Sequence, residues 1–158
     1  MYYHAETLTV GGTDYRVNYS YDEDMSPFDD DGRGIVTEWE NRDKHPGELI
    51  LISDGRSKRF YDFAGSMVKA RRDGWGVSGN VTGLSKGEIL QRAVMADYGY
   101  LRAWCRDDWH YVVLQVYPLT VDGDELISKS VYLGGIESSD DAHLKASALE
   151  LISEIEAT

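Results

Sequence analysis

The 158-residue chain has a single cysteine, Cys105, which excludes an internal disulfide and suits a reducing compartment. No apolar run approaches the roughly 20 residues of a membrane-spanning helix, so no membrane association is expected. The opening residues, Met-Tyr-Tyr-His-Ala-Glu, carry neither the basic region nor the apolar stretch of a secretory signal, and a cytoplasmic protein is expected. Basic side chains are also scarce: 16 Lys and Arg stand against 28 Asp and Glu, a formal net charge of −12. That balance argues against ordinary phosphate-backbone binding, whose affinity Lys and Arg supply. There is no G-x-S-x-G elbow, no G-x-x-x-x-G-K-[ST] loop and no strand-linked G-x-G-x-x-G, so nothing announces nucleophilic catalysis or phosphate binding. No cofactor is implied.

What is present is globular in composition, with 42% hydrophobic and 11% aromatic residues. Neither an internal repeat nor a linker stands out, and residues 1–158 read as one domain. The charge is unevenly spread. Residues 1–40 are net −8, residues 41–106 net +5 and residues 107–158 net −9. Such a pattern serves solubility or attracts a basic partner.

Periodicity supplies the elements. Residues 2–21 read as a hairpin about Gly11-Gly12, with Tyr15, Val17, Tyr19 and Tyr21 alternating against Arg16, Asn18 and Ser20. An acidic loop follows over 22–34, then a short strand over Ile35–Trp39 and a second hairpin about Asp54-Gly55. Asp62 caps a helix whose face is Phe63, Ala64, Met67, Val68 and Arg71, with Arg71-Arg72 in its last turn and Gly74 as C-cap. Ser85-Lys-Gly-Glu88 is a capping box opening a second helix, striped by Leu90, Val94, Leu101 and Cys105. A strand over Trp109–Val121 turns at Asp122-Gly123 into another over Leu126–Leu133, and a last helix buries Leu144, Ala148, Leu151, Ile152 and Ile155. The expected fold is α+β: a mostly antiparallel sheet with about three helices packed on one face.

Two stretches, Tyr61 to Gly76 (YDFAGSMVKARRDGWG) and Ala96 to Val113 (ADYGYLRAWCRDDWHYVV), together with Leu133 to Ser139 (LGGIESS), resemble small acidic accessory proteins of tailed bacteriophages. The resemblance covers about a quarter of the chain. It implies a phage origin and carries over no catalytic residues.

Among local patterns, Asp29-Asp30-Asp31-Gly-Arg33-Gly34-Ile-Val36-Thr-Glu-Trp-Glu40 has the skeleton of a calcium-binding EF-hand loop. Arg33 stands where a ligand belongs, however, and the flanks are not helical, so an acidic solvated turn is the expectation. His4, His45, His110 and His143 form no close pair, and no metal site is expected. Arg56, Lys58, Arg59, Lys69, Arg71 and Arg72 lie near Trp75, a combination that suits nucleic acid. The acidic surroundings favour internal pairing instead.

The function expected is binding without chemistry: a phage accessory protein, cytoplasmic in the infected cell, that blocks a host protein with a basic surface, of anti-defence type. Asp22, Glu23, Asp24, Asp29, Asp30 and Asp31 are the steering carboxylates, and Trp39 and Trp75 the anchors. The alternatives are a small metal-dependent enzyme or calcium-binding protein, and a virion structural component.

Overall fold

A computed structural model describes residues 2–158. It holds three helices and seven strands in antiparallel sheets, the expected α+β class. The strands divide between two sheets, however. Two compact units form around them: a terminal unit of Met1–Ser26 with Trp109–Thr158, and a central unit of Pro27–Asp108.

In the terminal unit, β1 (Tyr2–Val10), β2 (Thr13–Tyr21), β6 (Tyr111–Pro118) and β7 (Val131–Glu137) form a sheet in the order β1-β2-β6-β7. Gly11 and Gly12 have φ of 58° and 80°, the two positive values that a two-residue hairpin turn of the strand-compatible hand requires. Tyr21 lies opposite Val112, and the Asp22 N–H donates to the Tyr111 carbonyl at 2.9 Å. The chain thus leaves the sheet and re-enters it at one point. The central unit is an insertion into a hairpin connection of an otherwise plain four-strand meander.

Helix α3 (Asp141–Glu156), capped by the Asp140 carboxylate, which accepts the His143 N–H at 3.1 Å, contacts β6 and β7. Its Leu144, Ala148, Leu151 and Ile152 are buried with Tyr15, Val17, Tyr19, Val112, Leu114 and Val116. Each such side chain contributes roughly 1.5–3 kcal/mol on burial, so this layer holds the unit together. Strand alternation sends Asn18, Gln115 and Tyr117 to the other face, and they too are buried. Their polar groups satisfy one another: Asn18 Nδ2 donates to Gln115 Oε1 (3.2 Å), and Tyr117 donates to Glu125 (2.6 Å). Burial there depends on these bonds, because an unmade one costs far more than a made one contributes.

In the central unit, β3 (Ile35–Val36), β4 (Glu48–Asp54) and β5 (Ser57–Asp62) form a sheet in the order β3-β5-β4. Helices α1 (Phe63–Asp73) and α2 (Lys86–Cys105) pack on it around Leu51, Tyr61, Ala70, Leu90, Val94 and Leu101. Both N-caps are those foreseen. Asp62 accepts the Gly65 N–H at 2.9 Å, and Ser85 accepts the Glu88 N–H at 3.1 Å.

Three expectations need correction. The face of α1 is rotated: Ser66 and Ala70 are buried, Phe63 and Met67 half-buried, while Val68 is exposed. The Ser66 hydroxyl accepts the Ile35 N–H at 2.9 Å, and that bond to β3 turns a serine inward. The strand at Ile35 stops at Val36 because the Thr37 hydroxyl, not a ladder carbonyl, takes the Phe60 N–H (2.9 Å). The strand expected over Leu126–Leu133 starts only at Val131, after a 3-10 turn at Ile127–Lys129 whose Ile127 carbonyl accepts both the N–H and the hydroxyl of Ser130.

Candidate protein-interaction surface

Charge separates cleanly along the division of the fold. The terminal unit carries 14 acidic and 3 basic side chains, net −11, and the central unit 14 and 13, net −1. Nine of the eleven acidic side chains in residues 107–158 and five of the ten in residues 1–40 belong to the terminal unit. Arg16, Lys129 and Lys145 are the only cationic Lys or Arg side chains in it, so most of its carboxylates have no cation to pair with there.

The foreseen acidic loop is shared between the units. Asp22, Glu23 and Asp24 lie in the terminal unit, and Asp29, Asp30 and Asp31 in the central one. Glu23 and Asp24 are exposed, whereas Asp22 accepts the Gly135 N–H at 2.9 Å and braces a bulge in β7. Asp30 accepts the Gly32 N–H at 2.8 Å and faces Arg33 at 3.6 Å. Asp29 and Asp31 are exposed. Of the two expected anchors, Trp39 is 45% exposed, but Trp75 is half-buried against the central core.

The EF-hand skeleton is filled from within. Arg33 reaches the buried Asp97 carboxylate at 3.2 Å and stacks 3.8 Å over Tyr100. The Lys69 ammonium donates to the Asp31 and Arg33 carbonyls. Glu40, the twelfth position, pairs with Arg42 at 2.7 Å. Among the described residues no group of three His, Cys, Asp or Glu side chains is placed to hold a metal ion. The basic cluster is similarly engaged: Arg59 lies 4.2 Å over Phe28 and donates to the Thr37 carbonyl, and Arg72 pairs with Asp73. No helix among the described residues is long and apolar enough to cross a membrane. Cys105 is half-buried, and burial raises its thiol pKa.

The terminal unit also has a cleft of about 500 Å³ lined by Tyr3, His4 and Glu6 of β1, Tyr19 of β2, and Asp141 and Lys145 of α3. Beside it, the Tyr3 ring lies 5.0 Å from Tyr21 and 5.2 Å from His110, and His110 lies 4.2 Å from Tyr21. Tyr3 and Tyr21 are exposed. The Tyr19 hydroxyl donates to Glu6. Burial, then that hydrogen bond and the charge of Glu6, with smaller effects from Tyr3 and Asp141, push the Tyr19 phenol well above its ordinary pKa. Tyr19 therefore remains a neutral donor.

Only one residue along the chain hints at this cleft. Register places Glu6 between His4 and Leu8 opposite the inward Tyr19, Val17 and Tyr15, so a carboxylate interrupts the inward face of β1. Its companion Asp141 lies 135 residues further on, and only the fold joins them.

Compared with protein-family models, with curated proteins and with solved structures, the chain matches none.

Proposed function

We propose that this chain is a binding protein without chemistry of its own, which docks through its acidic terminal unit on a basic surface of another protein. The observation that carries this reading is the concentration of charge, 14 acidic against 3 basic side chains in one body. A field of that sign speeds encounter with a basic partner and rejects acidic ones. The partial resemblance to phage accessory proteins supports an action in the cytoplasm of an infected cell. The partner is then a host nucleic-acid-handling factor, and the effect a steric block of anti-defence type. Glu23 and Asp24 supply steering from the terminal unit; of the residues in the central unit, Asp29 and Asp31 are exposed and Trp39 is an exposed aromatic of the kind that anchors contacts.

The test is a tagged capture from bacterial host lysate, with nuclease and over a salt series. One nuclease-resistant basic protein, released as salt rises, is expected. Its retention should fall when Glu23 and Asp24 are changed together to their amides. A partner indifferent both to salt and to that double change would sink the proposal, as would recovery of nothing specific.

A further inference from the structure

The two edges of the terminal sheet differ. β7 is short, bulged at Gly134-Gly135 and tied to Asp22, the kind of device by which proteins blunt an edge. β1 is nine residues long, contains neither Pro nor Lys, and is irregular only between Tyr2 and His4. From His4 to Val10 it pairs regularly with β2 on one side, and the order β1-β2-β6-β7 assigns it no neighbour on the other. Such an edge presents a row of backbone donors and acceptors to any extended chain that reaches it.

What the edge would accept is set by the cleft that adjoins it. Glu6 and Asp141 supply negative charge, and the Tyr3, His4 and Tyr19 rings supply aromatic surface. Lys145 and His110 also line the cleft, and His4 and His110 are the other titratable groups there besides the tyrosines. Carboxylates beside aromatic faces recognise a guanidinium or ammonium group through charge and cation–π attraction. An added strand places alternate side chains on the same side of the sheet as His4 and Glu6.

Resting on the docking function above, we infer that an extended, Arg- or Lys-bearing segment of the partner adds as a fifth strand to the edge of β1, with one cationic side chain entering the cleft between Glu6 and Asp141. Backbone pairing gives the segment its hold, and the cleft selects its charge.

The probe is a ten-residue peptide alternating threonine and arginine. Its controls are the same peptide N-methylated at alternate amides and a threonine–glutamate peptide. Binding to the full chain is read by amide hydrogen exchange and chemical shift. The arginine peptide should slow exchange at amides of β1 between His4 and Val10. The N-methylated and glutamate peptides should bind at least about tenfold more weakly. The double change Glu6→Gln and Asp141→Asn should weaken the arginine peptide about tenfold at low salt. Glutamine retains an acceptor for Tyr19, and the cap residue Asp140 is untouched, so unchanged shifts in β6 would certify the fold. Equal binding of the N-methylated peptide, equal binding by the double variant, or no slowing at β1 overturns the inference. A host partner captured equally by wild type and double variant leaves the docking function standing and removes this site.

Discussion

Gly34 and Asp97 are joined by a 2.9 Å hydrogen bond from the Gly34 N–H to the Asp97 carboxylate. The bond fixes the acidic 29–34 loop to the middle of α2. The same carboxylate accepts the Tyr61 hydroxyl at 2.8 Å and Arg33 at 3.2 Å, and Asp97 is only 6% exposed. One buried acid thus satisfies three donors from two segments, the 29–34 loop and β5. Asp97→Ala would strand all of them and should cost about 3 kcal/mol or more. Asp97→Asn, which keeps one acceptor oxygen, should cost less. Gly34→Ala should also destabilise, by about 1–3 kcal/mol, because its methyl would overlap the buried Tyr61 ring. Urea unfolding followed by tryptophan fluorescence measures all three. An Asp97→Ala midpoint equal to wild type would refute the account.

The two tryptophans put forward as anchors should behave differently. Trp39→Ala should leave stability within about 0.5 kcal/mol of wild type, since nearly half of the side chain is in solvent and it belongs to neither buried cluster. Trp75→Ala removes a ring packed against the central core and should cost about 1–2 kcal/mol. Denaturation of both variants, paired with partner binding, separates an anchor from a packing residue.

Acid should weaken the central unit through Glu48. Arg42 grips its two carboxylate oxygens at 2.8 Å each. That bond, opposed by burial and aided by the His45 N–H, lowers the Glu48 pKa to about 2, against an ordinary 4.5. A depressed folded-state value means stability that is present above 4.5 and lost as pH falls toward 2. Urea midpoints between pH 5 and pH 2 should therefore drop for the wild type. Glu48→Gln should start lower and show a shallower fall over that window. Parallel pH profiles would show that Glu48 is not the group responsible.

Removing the insertion tests the architecture. Replacing residues 27–108 with a short turn should leave the terminal meander and α3 folded, because Tyr21 and Val112 are already opposite each other at the exit point. Dispersed amide resonances and a cooperative melt are expected from this shortened chain. A chain that stays unfolded in the absence of denaturant would mean that the terminal unit depends on the central one.

Local chemistry made much of this fold legible. Gly11-Gly12, Asp62, Gly74, Ser85 and the stripe of α3 each act through neighbours a few residues away, and their placements held. What escaped were choices made at long range. Nothing near Ser66 says that its hydroxyl will meet the Ile35 N–H, so the buried face of α1 was set one position off. Asp97 lies on the buried stripe of Leu90, Ala93, Val94 and Leu101, and a carboxylate at such a position is itself a sign of buried partners. The separation of charge was visible along the chain but not as one body, since the ends meet through the long-range pairing of β2 with β6 and the packing of α3 on that sheet.

That pairing also has a consequence in time. β2 ends at Tyr21 and its neighbour β6 begins at Tyr111, so on the ribosome the first hairpin emerges long before the strand that completes its sheet. At roughly 5–20 residues per second the wait is on the order of 4–18 seconds. Throughout it the aromatic side chains of β2 have no core to enter, and the intervening segment emerges in full before that core can close.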